Sequence, residues 1–549
     1  MTEVLKIDGS PGAGKTTTLK RKLREEKRKG VGPTGFWWLN FTTSGRADVK
    51  PELVDVFPED DDVKKRAKTV HGLALSLCLR HDVIDGDIDD VVIQQGGFKD
   101  DETDPFQEFC DRHAMGYDPD TANPRKLLSG EKQTEQTGNK LFAINDYLRQ
   151  TFKPPEQWRT APVDIRIPGD RVETLLEEWD SFKRTAFDDR LFEHGDYLQE
   201  AIERNLVPNV DVLLIDEFQD LAPIEYKLFK QWRGSGQMKR IYISGDPNQS
   251  IYSFRGGTPL YFEETDVAET ETLKESYRCP EEVAQIARQI LDSHPQTDGR
   301  GFSGKDDGGT VEWLDVRDRF GLRDAVIETA SQYDRTPSVM LLTRTNYHLR
   351  RVMNVLQGTG VPFETLGKRQ GLWDDEMGQY LAFLESWRND RQQFAKSNVR
   401  QVLKALPDGQ ERTKQLGNGM GGLIGAEAVR PAFEDLTPLE TAQRLDIPQW
   451  KLTALVNALE APASLTPEEV RVGTFHTAKG LEAPAVYLFA STSTRSVQRY
   501  HRNDDHAAEE HRTYYVGATR ASEELHIIET FFDGPIAPPI EYIKRRVIA

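Results

Sequence analysis

The chain has 549 residues, with 90 Asp plus Glu against 71 Lys plus Arg and a formal net charge of −19. That length exceeds what one hydrophobic core supports, so two or more domains are expected, and the acidic surplus argues against binding nucleic acid by bulk charge while leaving room for a locally basic groove. The opening "MTEVLKIDGS" lacks a basic start and an apolar stretch, no run approaches a membrane span, and Cys78, Cys110 and Cys279 are too far apart for a disulfide framework or a CxxC knuckle; the expectation is a reduced, cytoplasmic protein with no membrane partner.

In chain order, the first strand-like run is "VLKI" (4–7), and "GSPGAGKTT" follows it directly. This supplies G-x-x-x-x-G-K-T as Gly9, Gly14, Lys15 and Thr16, in the strand-to-helix setting that a phosphate loop requires. The glycines let the loop Ser10, Pro11, Gly12, Ala13 curl, so that its backbone N–H groups, Pro11 having none, face a phosphate together with the helix N-terminus at Thr16 and Thr17. Lys15 would neutralise phosphate charge, and Thr16 would offer its hydroxyl to Mg²⁺. After "GFWWLNF" (35–41) and the basic stretches 20–30 and 63–68, the text turns polar and helix-like between about 86 and 170.

The run Val212–Ile215 has no period-two alternation, so it reads as a strand covered on both faces of a parallel sheet. Acids at its carboxyl end, Asp216, Glu217 and Asp220, stand where such sheets bind ligands, and like charges gathered there call for a cation between them. Asp216 is expected to hold Mg²⁺ and Glu217 to polarise the water that attacks a terminal phosphate. "RIYISGD" (240–246) leads into "GDPNQSIYSFRGG" (245–257), which sets Gln249 as a phosphate sensor and Tyr252, Phe254 and Arg255 as an aromatic and cationic surface suited to stacking on single-stranded bases. A second group of runs, "SVMLLT" (338–343), "AVYLF" (485–489) and "LHIIET" (525–530), brackets another polar, helix-like stretch at 368–465. The pattern is α/β: two parallel-sheet domains, each carrying a mainly helical insertion. The boundaries expected are 1–85 and 171–264 for the first domain around an insertion at 86–170, then 265–367 and 466–549 for the second around 368–465.

Taken together, "GSPGAGKTT", "NFTTSGRA" (40–47), "TVHG" (69–72), "IDEFQDLAP" (215–223), "GDPNQSIYSFRGG", "SYRCP" (276–280), "LLTRTN" (341–346), "TFHTAKGLE" (474–482) and "YYVGATRA" (514–521) make the chain resemble the UvrD/Rep/PcrA family of superfamily 1 helicases. The motifs stand in family order and span nearly the whole chain. The resemblance implies two RecA-like P-loop NTPase domains and an ATP- and Mg²⁺-dependent helicase that moves 3′ to 5′ on single-stranded DNA and unwinds tailed duplexes, in repair, recombination or replication. It implies that Arg278 and Arg520 act on the transferred phosphate, that Tyr277 stacks on the nucleotide base and that Glu482 contacts the ribose. It also implies a nucleic-acid track lined by Phe41, Thr42, His71, Tyr252, Phe254, Arg255, Arg344, Thr345, Asn346, Thr474 and His476.

Two departures qualify the resemblance. Family members carry a glutamine motif that reads adenine ahead of the P-loop, and the eight residues "MTEVLKID" contain no Gln, which leaves NTP choice open. The insertions are short for the family, so a translocase that strips proteins from single strands without unwinding is the alternative enzyme; a nucleic-acid-binding scaffold with an inert P-loop is the alternative of another class. Sequence leaves RNA open as the track.

Overall fold

The computed structural model describes residues 2–548 apart from 42, 86–87, 96, 98–103, 130–133, 188, 300, 306–307, 368–371, 374, 408, 415–421, 435, 462–464 and 530. It divides into two compact units, residues 1–277 and 278–549. Among the described residues no helix is long and apolar enough to cross a membrane.

The first unit is built on six parallel strands: β1 Glu3–Gly9, β2 Phe36–Asn40, β3 Ala67–Thr69, β4 Val212–Ile215, β5 Arg240–Gly245 and β6 Glu269–Leu273, in the order β3-β2-β4-β5-β1-β6. The unbroken apolar runs occupy its centre. Every residue of β2 and β4 is buried, as parallel strands covered on both faces require. Burying a leucine such as Leu213 or Leu214 contributes about 2 kcal/mol, and these side chains join the cores on opposite faces of the sheet. Because β4, β5 and β1 are consecutive neighbours, with Ile215 opposite Ile243 and Asp8 opposite Gly245, the loops that leave their carboxyl ends emerge together. That adjacency creates the site.

Sequence reading placed the end of the first domain at 264. The sheet instead takes in β6, whose Leu5↔Glu269 to Gly9↔Leu273 pairing makes it the edge next to β1. "ETETL" is polar and mostly exposed, which suits an edge strand but carries no apolar signal.

The helical insertion of this unit has its own aromatic core, in which Phe142 meets Phe106 and Trp179 with ring centroids 4.9 Å and 4.8 Å apart. A fully buried Lys183 is matched there by Glu193 at 2.7 Å and Asp196 at 2.5 Å, as a buried cation must be.

The second unit repeats the plan with six parallel strands in the order Glu364–Thr365, Val470–Thr474, Val339–Thr343, Ala483–Phe489, Ala521–Ile528 and Thr310–Leu314. Its inserted helices, including Asp375–Arg388 and Gln449–Glu460, share one continuous core with the sheet. A short antiparallel ladder, Gln393–Ala395 with Leu423–Gly425, interrupts the helices.

Candidate active site

The loop between β1 and the helix Lys15–Arg28 is closed by Ala13 N–H donating to Ser10 O at 3.2 Å. Gly12 and Gly14 take left-handed φ values of 72° and 81°, which a side chain would make costly. Gly9 is needed for a different reason: a Cβ there would come within 2.8 Å of Lys15 Cγ. The Lys15 chain therefore folds back across Gly9, and its Nζ donates to Gly9 O at 2.9 Å and Ser10 O at 3.2 Å. Among the described residues this buried ammonium hydrogen-bonds backbone carbonyls alone, which keeps its whole positive charge available to an incoming anion.

Thr16 Oγ1 donates to Asp216 Oδ2 at 2.9 Å, while Ser244 Oγ donates to the other carboxylate oxygen. Burial, and then the neighbouring Glu217 carboxylate, push the Asp216 acid above its ordinary range; the Ser244 and Thr16 hydroxyls and Lys15 oppose this. Asp8 is likewise pushed up by burial and then by Asp246. Acids crowded here, whose repulsion Lys15 only partly offsets, suit a divalent ion. Mg²⁺ commonly takes one or two protein ligands and completes its shell with phosphate oxygens and water, so Thr16 and Asp216 fit it. No group of three or more His, Cys, Asp or Glu able to hold a metal occurs among the described residues.

Glu217 sits at a left-handed φ of 56°, unusual for a residue with a side chain and frequent at functional turns. Gln219 Nε2 donates to Glu217 Oε2 at 2.6 Å, and Gln219 Oε1 accepts from Asp246 N–H at 3.1 Å. Gln249 Nε2 in turn donates to Asp246 Oδ2 at 3.0 Å. Sequence reading named Glu217 and Gln249 but missed Gln219 and Ser244, which join them into one network. The signal was present in the adjacency of the runs ending at 215 and 245, not in any residue type. Tyr277 lies at the same loop: its backbone N–H donates to Gly12 O at 3.0 Å, a Cβ on Gly14 would sit 3.9 Å from its ring, and the residue is 73% exposed.

In the second unit, Arg278 Nε donates to Glu482 in a close ion pair. Arg520 is buried, with Nε donating to Val516 O at 2.8 Å and Nη1 to Leu481 O at 3.2 Å. The segment Leu481–Glu482 thus gathers Arg278, Arg520 and Glu482 in one place.

The expected track residues divide into two sets. On the first unit the Phe41 and Tyr252 rings meet at a tilt 5.2 Å apart, Tyr252 meets Phe254 at 5.9 Å, and the Arg255 guanidinium, buried and donating to Gln150 Oε1 at 3.3 Å, lies 5.0 Å from the Phe41 ring centre. His71 Nδ1 lies 3.0 Å from the buried Glu225, whose acid is drawn down to about 2 against its burial by the His71 hydrogen bond and charge; Nε2 of His71 has no partner among the described residues. Thr42 lies outside the described residues. On the second unit Thr343 pairs with Thr474 across neighbouring strands, so Arg344, Thr345, Asn346, Thr474 and His476 cluster at one sheet edge. The structure corrects the expectation for two of them. Arg344 is held by Glu510, with its Nε 3.0 and 2.9 Å from the two carboxylate oxygens, a partly buried guanidinium matched by a buried carboxylate. Thr345 spends its hydroxyl as a helix cap, accepting from His348 N–H at 3.2 Å. The exposed Tyr347 beside them, 65% accessible, was not singled out from sequence.

A family model for the UvrD/REP helicase N-terminal domain matches residues 1–267, and one for the UvrD-like helicase C-terminal domain matches residues 443–530. ATP-dependent DNA helicase UvrD2 of Mycobacterium tuberculosis is 25% identical over 69% of this chain and 58% of its own length. ATP-dependent DNA helicase HMI1, mitochondrial, of Saccharomyces cerevisiae is 23% identical over 69% of this chain and 52% of its length. The chain thus spans little more than half of these two relatives. ATP-dependent DNA helicase PcrA of Staphylococcus epidermidis is 21% identical over 95% of this chain and 81% of its length.

Proposed function

We propose that this chain, which belongs to the UvrD/Rep/PcrA-like helicases, is an ATP-dependent DNA helicase that steps 3′ to 5′ along single-stranded DNA and separates tailed duplexes. The observation that carries the reading is the 2.9 Å contact between Thr16 of the glycine loop and Asp216 at the end of β4. It joins a phosphate cradle to an acid whose charge is disfavoured by burial and by Glu217. Similarity to proteins named ATP-dependent DNA helicase supports the same activity.

In this reading the backbone of Ser10–Gly14 and Lys15 bind the β- and γ-phosphates of ATP. Thr16 and Asp216 would hold Mg²⁺, which would supply charge neutralisation. Glu217, oriented by Gln219, takes the proton of the attacking water. Gln249 reads the terminal phosphate and passes its state through Asp246 and Gln219, and Arg278 and Arg520 neutralise charge on the transferred group. Tyr277 packs on the base. Phe41, Tyr252, Phe254 and Arg255 carry nucleotides of the strand by stacking. A cytoplasmic role in repair, recombination or replication follows from the same reading.

The test is strand displacement on duplexes with a 3′ or a 5′ tail, in DNA and RNA versions, with each NTP. Displacement of the 3′-tailed DNA with ATP is expected. ATP-fuelled displacement confined to 5′ tails, or none on any tail, would refute the polarity or the unwinding respectively.

A further inference from the structure

The sheet edge that clusters Arg344, Thr345 and Asn346 also carries a charge imbalance. Strands Val470–Thr474, Val339–Thr343 and Ala483–Phe489 are consecutive neighbours, so the segments leaving them run side by side. The last of these leads within a few residues into the helix Thr494–Tyr500. Tyr500 Oη lies 2.9 Å from His511 Nε2, and His511 adjoins Glu510, the partner of Arg344. The helix is thereby fixed beside Arg344, and it brings Arg495 and Arg499 with it.

Arg344 has its carboxylate, whereas neither Arg495 nor Arg499 makes an ion pair or hydrogen bond among the described residues. Arg499 is not a freely solvated side chain. Burial, and then Arg495 and Arg344, lower its hold on its proton, and Glu509 opposes them. Arg495 is exposed and Arg499 half-buried, four residues apart and so on one face of the helix. Three guanidiniums drawn together, with one dedicated carboxylate, are stable when an anion joins them, and phosphate is the anion whose geometry the guanidinium fork matches.

We propose that Arg495 and Arg499 contact backbone phosphates of single-stranded nucleic acid on the second unit, taking the role that Glu510 denies to Arg344. The inference rests on the nucleic-acid reading above and names residues that neither the sequence motifs nor the comparisons assign.

The test is the affinity of the full chain for a fluorescent oligo-dT across a salt series. Each phosphate contact on a single strand contributes about 0.7 to the slope of log affinity against log salt. Arg495→Gln and Arg499→Gln should each reduce the slope by about that amount, and Arg495→Lys and Arg499→Lys should restore it, since lysine keeps the point charge. Arg335→Gln, at the amino end of strand Val339–Thr343, should leave the slope at the wild-type value. Wild-type binding with unshifted slopes in both glutamine variants overturns this inference alone. A wild-type chain that ignores the oligonucleotide overturns it together with the proposed function.

Discussion

The carboxyl edges of the two sheets are built from the same kind of strand yet treat charge in opposite ways. On the first unit, Asp216, Glu217, Asp8 and Asp246 crowd together, and burial and mutual repulsion raise the acids of Asp216 and Asp8. The nearby cation, Lys15, is held by backbone carbonyls rather than by any of them. On the second unit, Arg278 has Glu482, Arg344 has Glu510, and Arg520 is satisfied by backbone oxygens. An edge with unmatched charge is made to receive a ligand, because its electrostatic cost is relieved only on binding. The matched arginines of the second edge, Arg278 and Arg344, hold its shape and serve a ligand only by changing partner, which leaves Arg495 and Arg499 beside Arg344 as the cations of that edge placed to receive one.

The comparison breaks first at Lys15 and Glu217. If the first edge is unmatched because phosphate and metal complete it, Lys15→Ala should lower ATP turnover by about a thousandfold or more, the scale of a lost cation at a transferred phosphoryl group. Glu217→Gln should cost about 10² to 10⁴ in turnover, the range for a general base, while nucleotide still binds. Turnover within twofold of wild type in either variant, read by phosphate release, would mean that this edge is not the reacting one.

The matched edge is tested by stability instead. Glu510→Gln strands the Arg344 guanidinium and should cost about 3 kcal/mol, read as a lower urea midpoint, since removing one partner of a buried pair leaves a charge uncompensated. On the first unit Glu225 offers a pH version. Its acid is depressed to about 2, so its stabilising effect is fully present above the unfolded value near 4.5 and is lost as pH falls toward 2. Glu225→Gln should flatten stability against pH in that window.

Much of this was legible before any coordinates, and the reason is physical. Central parallel strands carry dense apolar runs, so β1, β2, β4 and β5 announced themselves. The glycine loop is constrained residue by residue, so its position and chemistry could be read together. Edge strands were not legible: β6 and Thr310–Leu314 alternate in exposure and include polar residues. Nor were partners that depend on which strands lie side by side. Gln219 and Ser244 are ordinary residues until β4, β5 and β1 become neighbours, and Glu510 stands 166 positions from Arg344. A motif fixes which residue type stands at a position, but not whether a distant carboxylate has already claimed it.

The smallest expected effect sharpens the contrast within the first unit itself. The half-buried Phe254 and Tyr252 belong to an aromatic cluster with Phe41 that is backed by the buried Arg255, whereas Phe218, buried a few residues beyond β4, packs on Phe229 at 4.8 Å in the core. Base stacking contributes about 1 to 3 kcal/mol per base, so Phe254→Ala should weaken single-strand affinity by roughly five- to hundredfold and raise the DNA concentration needed to stimulate ATP turnover. A core phenylalanine behaves differently, because Phe218→Ala removes packing at about 3 to 5 kcal/mol and lowers stability before it touches affinity. Phe254→Ala with an unchanged strand affinity and a Phe218-like loss of stability would move Phe254 from the track into the core.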